Sequence, residues 1–165
     1  MKELSPELAQ LDLEVLHQTR PENLDDVSYV YDEFLPTGKV TSFIEDMTEA
    51  YYWADIVISR AGAGAVAELF MVNRPAILVP LASSQGGHQL ENAKMLVDAG
   101  KAYLVEESCD EKGYDFTQKL LDSIIQLLNT DNYLMMRSRK VDEMMTSNAA
   151  QRIAQVCKEL VSKVR

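Results

Sequence analysis

Apolar positions along the chain switch between two periods. Short runs of β-branched and aliphatic residues alternate with stretches whose apolar side chains recur every three or four positions. Leu13–Thr19, Gly38–Ile44, Asp55–Ser59, Ala76–Leu81 and Ala102–Val105 read as five strands. Asp55–Ser59 is almost wholly apolar, the pattern of a strand covered on both faces of a parallel sheet. Glu45–Trp53, Ala65–Val72 and His88–Ala99 carry helical spacing, and Gly100 stands where a C-terminal cap belongs. Lys2–Leu11 reads as a short helix, starting late if Ser5-Pro6-Glu7 is its start signal. Arg20–Asn23 is a loop, and the acidic stretch Asp25–Pro36 takes no assignment. After a loop over Glu106–Tyr114, three amphipathic helices follow: Phe116–Leu128, Asn132–Met144 and Ala149–Val164. The pairs Met135/Met136 and Met144/Met145 read as core filler at helical spacing.

This alternation predicts an α/β fold, a Rossmann-like parallel sheet with flanking helices. Ligands of such sheets gather beyond the carboxyl ends of the strands. Three loops leave those ends: Phe43–Met47, Arg60–Gly64 and Ser83–Gln89. The middle one is the most informative, because an apolar strand breaks at Gly62 and Gly64 and resumes as a helix. Glycines there permit a tight turn and a close approach to the backbone. Unpaired N–H groups at the helix start attract anions, phosphate above all. Glu68, four positions after Gly64, lies one turn in, where a carboxylate can accept hydrogen bonds from sugar hydroxyls. Spacing alone fits a second reading equally well: a closely packed strand-to-helix turn with a solvated Glu.

Composition narrows the class. A 165-residue chain with 47% apolar and 25% charged residues is globular and long enough to bury a core. No apolar run approaches the roughly 18 residues of a transmembrane helix, and the first residues lack a signal peptide's apolar core. Cys109 and Cys157 have no metal-type spacing and suggest reduced thiols in cytoplasm. Net charge is −10, and residues 1–50 alone carry twelve acidic against three basic side chains. That sign argues against nucleic acid as a partner. Seven basic residues against three acidic between Arg137 and Arg165 fit a solvated helix face.

Phe43-Ile-Glu-Asp-Met47, Ala54-Asp-Ile-Val-Ile-Ser-Arg-Ala-Gly-Ala-Gly-Ala-Val-Ala-Glu68, Pro75-Ala-Ile-Leu-Val-Pro80 and His88-Gln-Leu-Glu-Asn-Ala93 stand in an order and spacing that carry a resemblance. From about Leu13 to Leu160 the chain resembles the C-terminal domain of the MurG-type peptidoglycan N-acetylglucosaminyltransferases, glycosyltransferase family 28 of the GT-B superfamily. That family joins GlcNAc from UDP-GlcNAc to the undecaprenyl-pyrophosphoryl-muramoyl-pentapeptide acceptor. The resemblance implies that residues 1–165 form a single, N-terminally truncated donor-nucleotide-sugar-binding domain, with 115–165 as its C-terminal helices. It implies that the backbone of Ile44 meets the uracil. The segment Ala63, Gly64, Ala65, Val66, Ala67 and Glu68 would hold the diphosphate at its start and the ribose hydroxyls through Glu68. Gln89, with His88 beside it, would address the sugar hydroxyls, although a histidine so placed also fits a structural or helix-capping role. It implies no metal and no cofactor, since helix-end amides take the place of a cation. Partners would be UDP-GlcNAc, an N-terminal acceptor domain on the same or a separate chain, and the lipid-linked acceptor held by that domain. The expected location is cytoplasmic, with the full-length enzyme peripheral on the inner face of the plasma membrane.

The chain departs from the family at two places. Ala65 stands where many members have Thr. The family's first strand and its Gly-Gly-Ser loop, in the middle of the sheet, have no counterpart before Leu13–Thr19. No residue reads as a catalytic base, so the chain alone is expected to be an inactive part of a hexosyltransferase. Two other readings stand beside this one: a non-catalytic nucleotide-sugar-binding module or partner-dependent subunit, and a related lipid glycosyltransferase with a different donor or acceptor.

Overall fold

A computed structural model describes residues 5–83, 87–107 and 115–128. The helices expected over Asn132–Met144 and Ala149–Val164, and the methionine pairs, lie outside these residues. The order of elements is α1 (Ser5–Ala9), β1 (Leu16–Gln18), α2 (Leu24–Phe34), β2 (Lys39–Thr41), α3 (Met47–Trp53), β3 (Val57–Ser59), α4 (Ala63–Val72), β4 (Ala76–Leu78), α5 (His88–Asp98), β5 (Ala102–Leu104) and α6 (Phe116–Leu128). A single 3₁₀ turn, Pro21–Asn23, occupies the expected loop before α2. Among the described residues no helix is long and apolar enough to cross a membrane.

Helix α2 fills the stretch that the sequence left unassigned. Leu24, Val27, Val30, Tyr31, Phe34 and Leu35 recur at helical spacing, but Asp25, Asp26, Asp32 and Glu33 between them give the stretch a loop's composition. Asp25 and Asp26 fall in the first turn, where the helix dipole favours negative charge. Val30, Tyr31 and Leu35 are buried.

Among the described residues all strand pairs are parallel, and they form two sheets. β1 pairs with β2, setting His17 opposite Val40. β3, β4 and β5 form the other, with Ile58 opposite Ile77 and Ile77 opposite Tyr103. Lys39 N–H donates to Val15 O and Thr19 N–H to Thr41 O, so the peptide groups of Leu16 and Gln18 point away from β2. Val57 N–H donates to Pro75 O and Val79 N–H to Ser59 O, which turns the N–H and C=O of Ile58 away from β4. Among the described residues no ladder joins β1 to β3. This corrects the expectation that Asp55–Ser59 is covered on both faces: among the described residues β3 lies at the edge of its sheet, and Ile58 is 47% exposed. The strands are also shorter than their apolar runs, three residues each.

Side chains join what the backbone does not. Leu8, Tyr31 and Leu35 pack with Ile77, Val79 and Val105 and with Leu120, Ile124 and Leu127 of α6 in one cluster. On the opposite face of the larger sheet, Ala76, Leu78 and Ala102 pack against Tyr51, Val66, Leu69, Ala93 and Leu96. Central strand β4 therefore alternates its residues between two apolar layers and is fully buried. Helices α3, α4 and α5 are thereby fixed on one side, and their N-termini follow the loops at the strand ends.

Candidate functional site

The turn after β3 delivers α4 with Gly62 at the N-cap and no side-chain hydrogen bond closing its first turn. Val66 N–H is the first amide taken up within the helix, donating to Gly62 O at 2.9 Å. The amides ahead of it form the partial positive end of a ten-residue helix. The glycines act differently from the expectation. Gly62 has φ −64°, a value open to any residue, and Gly64 lies inside the helix, which starts two residues earlier than its apolar spacing indicated. A Cβ added at either position meets nothing within 4 Å, so what these glycines provide is open space over the helix start.

Glu68, one and a half turns in, is exposed. Its Oε2 accepts a hydrogen bond from the hydroxyl of Tyr51 at 2.9 Å. Tyr51 is only 7% exposed, its ring packed in the apolar layer with Val66 and Leu69. Burial first, and then Glu68, raise the Tyr51 hydroxyl to a pKa of about 12. Asp46 caps α3 by accepting from Glu49 N–H at 2.8 Å. At the other end, Arg74 donates from Nε to Tyr51 O at 2.9 Å and from a guanidinium NH2 to Tyr52 O at 2.8 Å. Both ends of the short helix that carries Tyr51 are thus tied.

A second set of contacts ties together the loops after β3, β4 and β5. Arg60 donates to Val79 O at 3.3 Å and pairs with Glu107 Oε1 at 2.7 Å. The Arg60 hydrogen bond holds the Glu107 carboxyl below its ordinary value. Asn92 of α5 donates to Ala61 O at 3.1 Å, anchoring the turn before α4. Gln89 Oε1 accepts from Leu81 N–H at 3.0 Å. One lone pair of its oxygen is thereby engaged, and Gln89 keeps its Nε2 donors and a second lone pair for a ligand.

Each residue anticipated from the sequence can now be placed. Ala63, Gly64 and Ala67 are exposed on the first turns of α4, and Ala65 is half-buried. Val66 is buried in the core, so only its backbone is available to a ligand. Ile44 lies in the loop leaving β2, and its link to α4 runs through α3 and the Tyr51–Glu68 bond. His88 is exposed at the first residue of α5, after Gly87 with φ +69°. Tyr51, Arg60 and Asn92 were given no role by sequence reasoning. Arg60 and Asn92 stand inside the motif blocks, and that position was the one signal available. Among the described residues no three His, Cys, Asp or Glu side chains group as a metal site.

The comparisons with known proteins agree on one group. Residues 1–156 match the glycosyltransferase family 28 C-terminal domain. A Haemophilus influenzae (strain PittGG) protein is 40% identical over 147 residues, 89% of this chain and 40% of that protein. Its name is UDP-N-acetylglucosamine--N-acetylmuramyl-(pentapeptide) pyrophosphoryl-undecaprenol N-acetylglucosamine transferase. A protein of that name from Shewanella amazonensis is 39% identical over 164 residues, 97% of this chain and 44% of the relative. The chain thus spans less than half the length of these curated relatives. The crystal structure of Acinetobacter baumannii MurG superposes with a TM-score of 0.73 at 28% identity, covering 94% of this chain and 44% of that one. The solution structure of ALG13 shares the fold, with a TM-score of 0.51 at 17% identity over 80% of this chain and 76% of that one.

Proposed function

The chain belongs to the glycosyltransferase family 28 C-terminal domain family, and on that premise we propose that it is the donor-binding half of an inverting hexosyltransferase of peptidoglycan synthesis. The donor is UDP-GlcNAc. The observation that carries this reading is the start of α4: free amides and open space over Gly62 and Gly64, with a carboxylate one and a half turns along. Amides of Ala63, Gly64 and Ala65 take the diphosphate, and the helix dipole stabilises the charge that builds on departing UDP. Glu68 accepts from the ribose hydroxyls, Ile44 meets the uracil through its backbone, and Gln89 donates to the sugar with His88 beside it. Ala65 brings no hydroxyl, so the contact there is a backbone one.

The acceptor, the undecaprenyl-pyrophosphoryl-muramoyl-pentapeptide, is held by a further domain, in the same polypeptide or in a partner chain. That domain brings the base that deprotonates the acceptor hydroxyl, and it brings any association with the inner face of the membrane. Two observations support the division of labour: the coverage of less than half of the relatives and the outward-facing peptide groups of Leu16, Gln18 and Ile58, which suit an added strand. The 165-residue chain alone is therefore inactive as a transferase.

The test is calorimetric titration of UDP-GlcNAc into the purified chain, with UDP-glucose as competitor and Glu68→Ala as control. The expected outcome is saturable binding that Glu68→Ala weakens by about 10-fold or more, a charge-assisted hydrogen bond being lost. Unchanged affinity in Glu68→Ala removes the carboxylate from the site. GlcNAc transfer by the pure chain overturns the claim of inactivity.

A further inference from the structure

Glu68 is exposed and long, and a free Glu side chain samples many rotamers. In this protein one of its two oxygens is already engaged. The Tyr51 hydroxyl, on a ring buried in the apolar layer, donates to Oε2 at 2.9 Å, while the backbone of Tyr51 is fixed by Arg74. We propose that Tyr51 is a positioning residue for ribose recognition, holding the Glu68 carboxylate so that its other oxygen is presented to the vicinal hydroxyls of the nucleotide.

The proposal rests on the donor-site reading of Glu68 and extends it to a residue on another helix. Three physical features recommend Tyr51 for the task. Its hydroxyl stays protonated, and so remains a donor, throughout the working pH range, because its pKa is about 12. Its ring cannot swing away without leaving the layer formed with Val66 and Leu69. The Glu68 side chain is ordered by this bond before the ligand arrives, so binding does not have to supply that ordering. The bond also joins α3, which follows the loop carrying Ile44, to α4, which carries the diphosphate end, setting the spacing between base and phosphate contacts.

Tyr51→Phe keeps the ring and removes the hydroxyl. Titrations of UDP and of 2′-deoxy-UDP into the wild-type chain and into Tyr51→Phe give four affinities, and thermal unfolding of both proteins reads the structural effect. The wild type should prefer UDP over the 2′-deoxy compound, and Tyr51→Phe should shrink that preference by roughly fivefold to tenfold, the size of one charge-assisted hydrogen bond acting at second hand. Affinity for the 2′-deoxy compound should change little, and in a Glu68→Ala background Tyr51→Phe should have no further effect on either ligand. A structural role alone would weaken both ligands equally. Equal weakening, or an unchanged preference, overturns the inference while leaving the donor site standing. A wild-type chain that binds UDP and its 2′-deoxy counterpart alike overturns the ribose role of Glu68 and this inference with it, and one that binds neither overturns the donor-site reading as well. If Tyr51→Phe unfolds, the same preference is measured in Arg74→Ala, which keeps the hydroxyl but frees the backbone behind it; an undiminished preference there counts against the proposal.

Discussion

Gly38 joins α2 to β2 directly beneath a buried tyrosine, and replacing it with alanine should be costly for a reason unrelated to backbone conformation. Its φ lies outside the left-handed region, so alanine can adopt the native backbone. By that criterion alone Gly38→Ala would stabilise, by about 0.4–1 kcal/mol, through a less disordered unfolded chain. An added Cβ, however, would stand 2.5 Å from Tyr31 Cε1, closer still to Cδ1, and 3.2 Å from Leu35 O. Carbon atoms rest at about 3.5–4.0 Å, so the ring or the strand must move by about 1 Å. Tyr31 has little freedom to give: it is 2% exposed, and its hydroxyl lies 3.1 Å from His17 Nδ1. Overpacking of this kind costs about 1–3 kcal/mol, and a rigid surround puts Gly38→Ala toward the upper end, for a net loss of about 2 kcal/mol. At this chain length that lowers the thermal midpoint by about 4–8 °C, or the urea midpoint by about 1 M. Urea unfolding followed by circular dichroism measures it. In a Tyr31→Leu background the same substitution should cost less than about 0.5 kcal/mol, since the obstructing ring is gone. An unchanged or raised midpoint, or equal costs in the two backgrounds, refutes the steric argument.

Two further outcomes follow from single residues. Asn73 ends α4 with φ +52° and accepts from Lys101 Nζ at 2.9 Å; Asn73→Ala should be less stable than Asn73→Gly by about 1 kcal/mol, the left-handed penalty of a Cβ, and equal unfolding midpoints would refute this. Burial lowers the pKa of His17 below its ordinary value of 6.5, so the unfolded chain takes up the proton first; stability should be full above about pH 6.5 and fall as pH drops from there through the folded pKa, with His17→Gln flattening that acid slope in pH-dependent melts.

The parts of the fold legible in the sequence are those where period and punctuation agree. His88–Asp98 is amphipathic and followed by Gly100, which takes φ +65° and donates from its N–H to Val97 O, so helix and stop were both readable. Ala76–Leu78 reads as a strand because it is apolar without a break and bounded by Pro75 and Pro80. Helix α2 was hidden because its solvent face is acidic enough to mimic a loop. The exposure of Ile58 was not readable either, since an apolar residue on an edge strand looks like one in the centre until its neighbours are known. The candidate site divides in the same way. Gly62, Gly64 and Glu68 stand out by type and position after a strand, and Gln89 enters through the resemblance carried by its motif block. Tyr51 is seventeen residues from Glu68, and only the packing of α3 against α4 brings hydroxyl and carboxylate together. Gln89 shows the opposite limit: its residue type suggested both donor and acceptor capacity, and the fold has already committed one lone pair of its oxygen to Leu81.

The absence of a ladder between β1 and β3 among the described residues bears on how the chain comes apart. Cooperativity between the β1–α2–β2 portion and the β3–β5 portion is carried by the side chains around Tyr31, Leu35, Ile77 and Val79. A backbone ladder would resist shear between the two portions, whereas an apolar cluster permits one of them to loosen while the other stays ordered. The loop bearing Ile44 leaves β2, in the first portion, and the amides of α4 belong to the second. A nucleotide bound as proposed, spanning from one to the other, would therefore act as a cross-brace, fastening together at the strand ends two units that no ladder among the described residues joins.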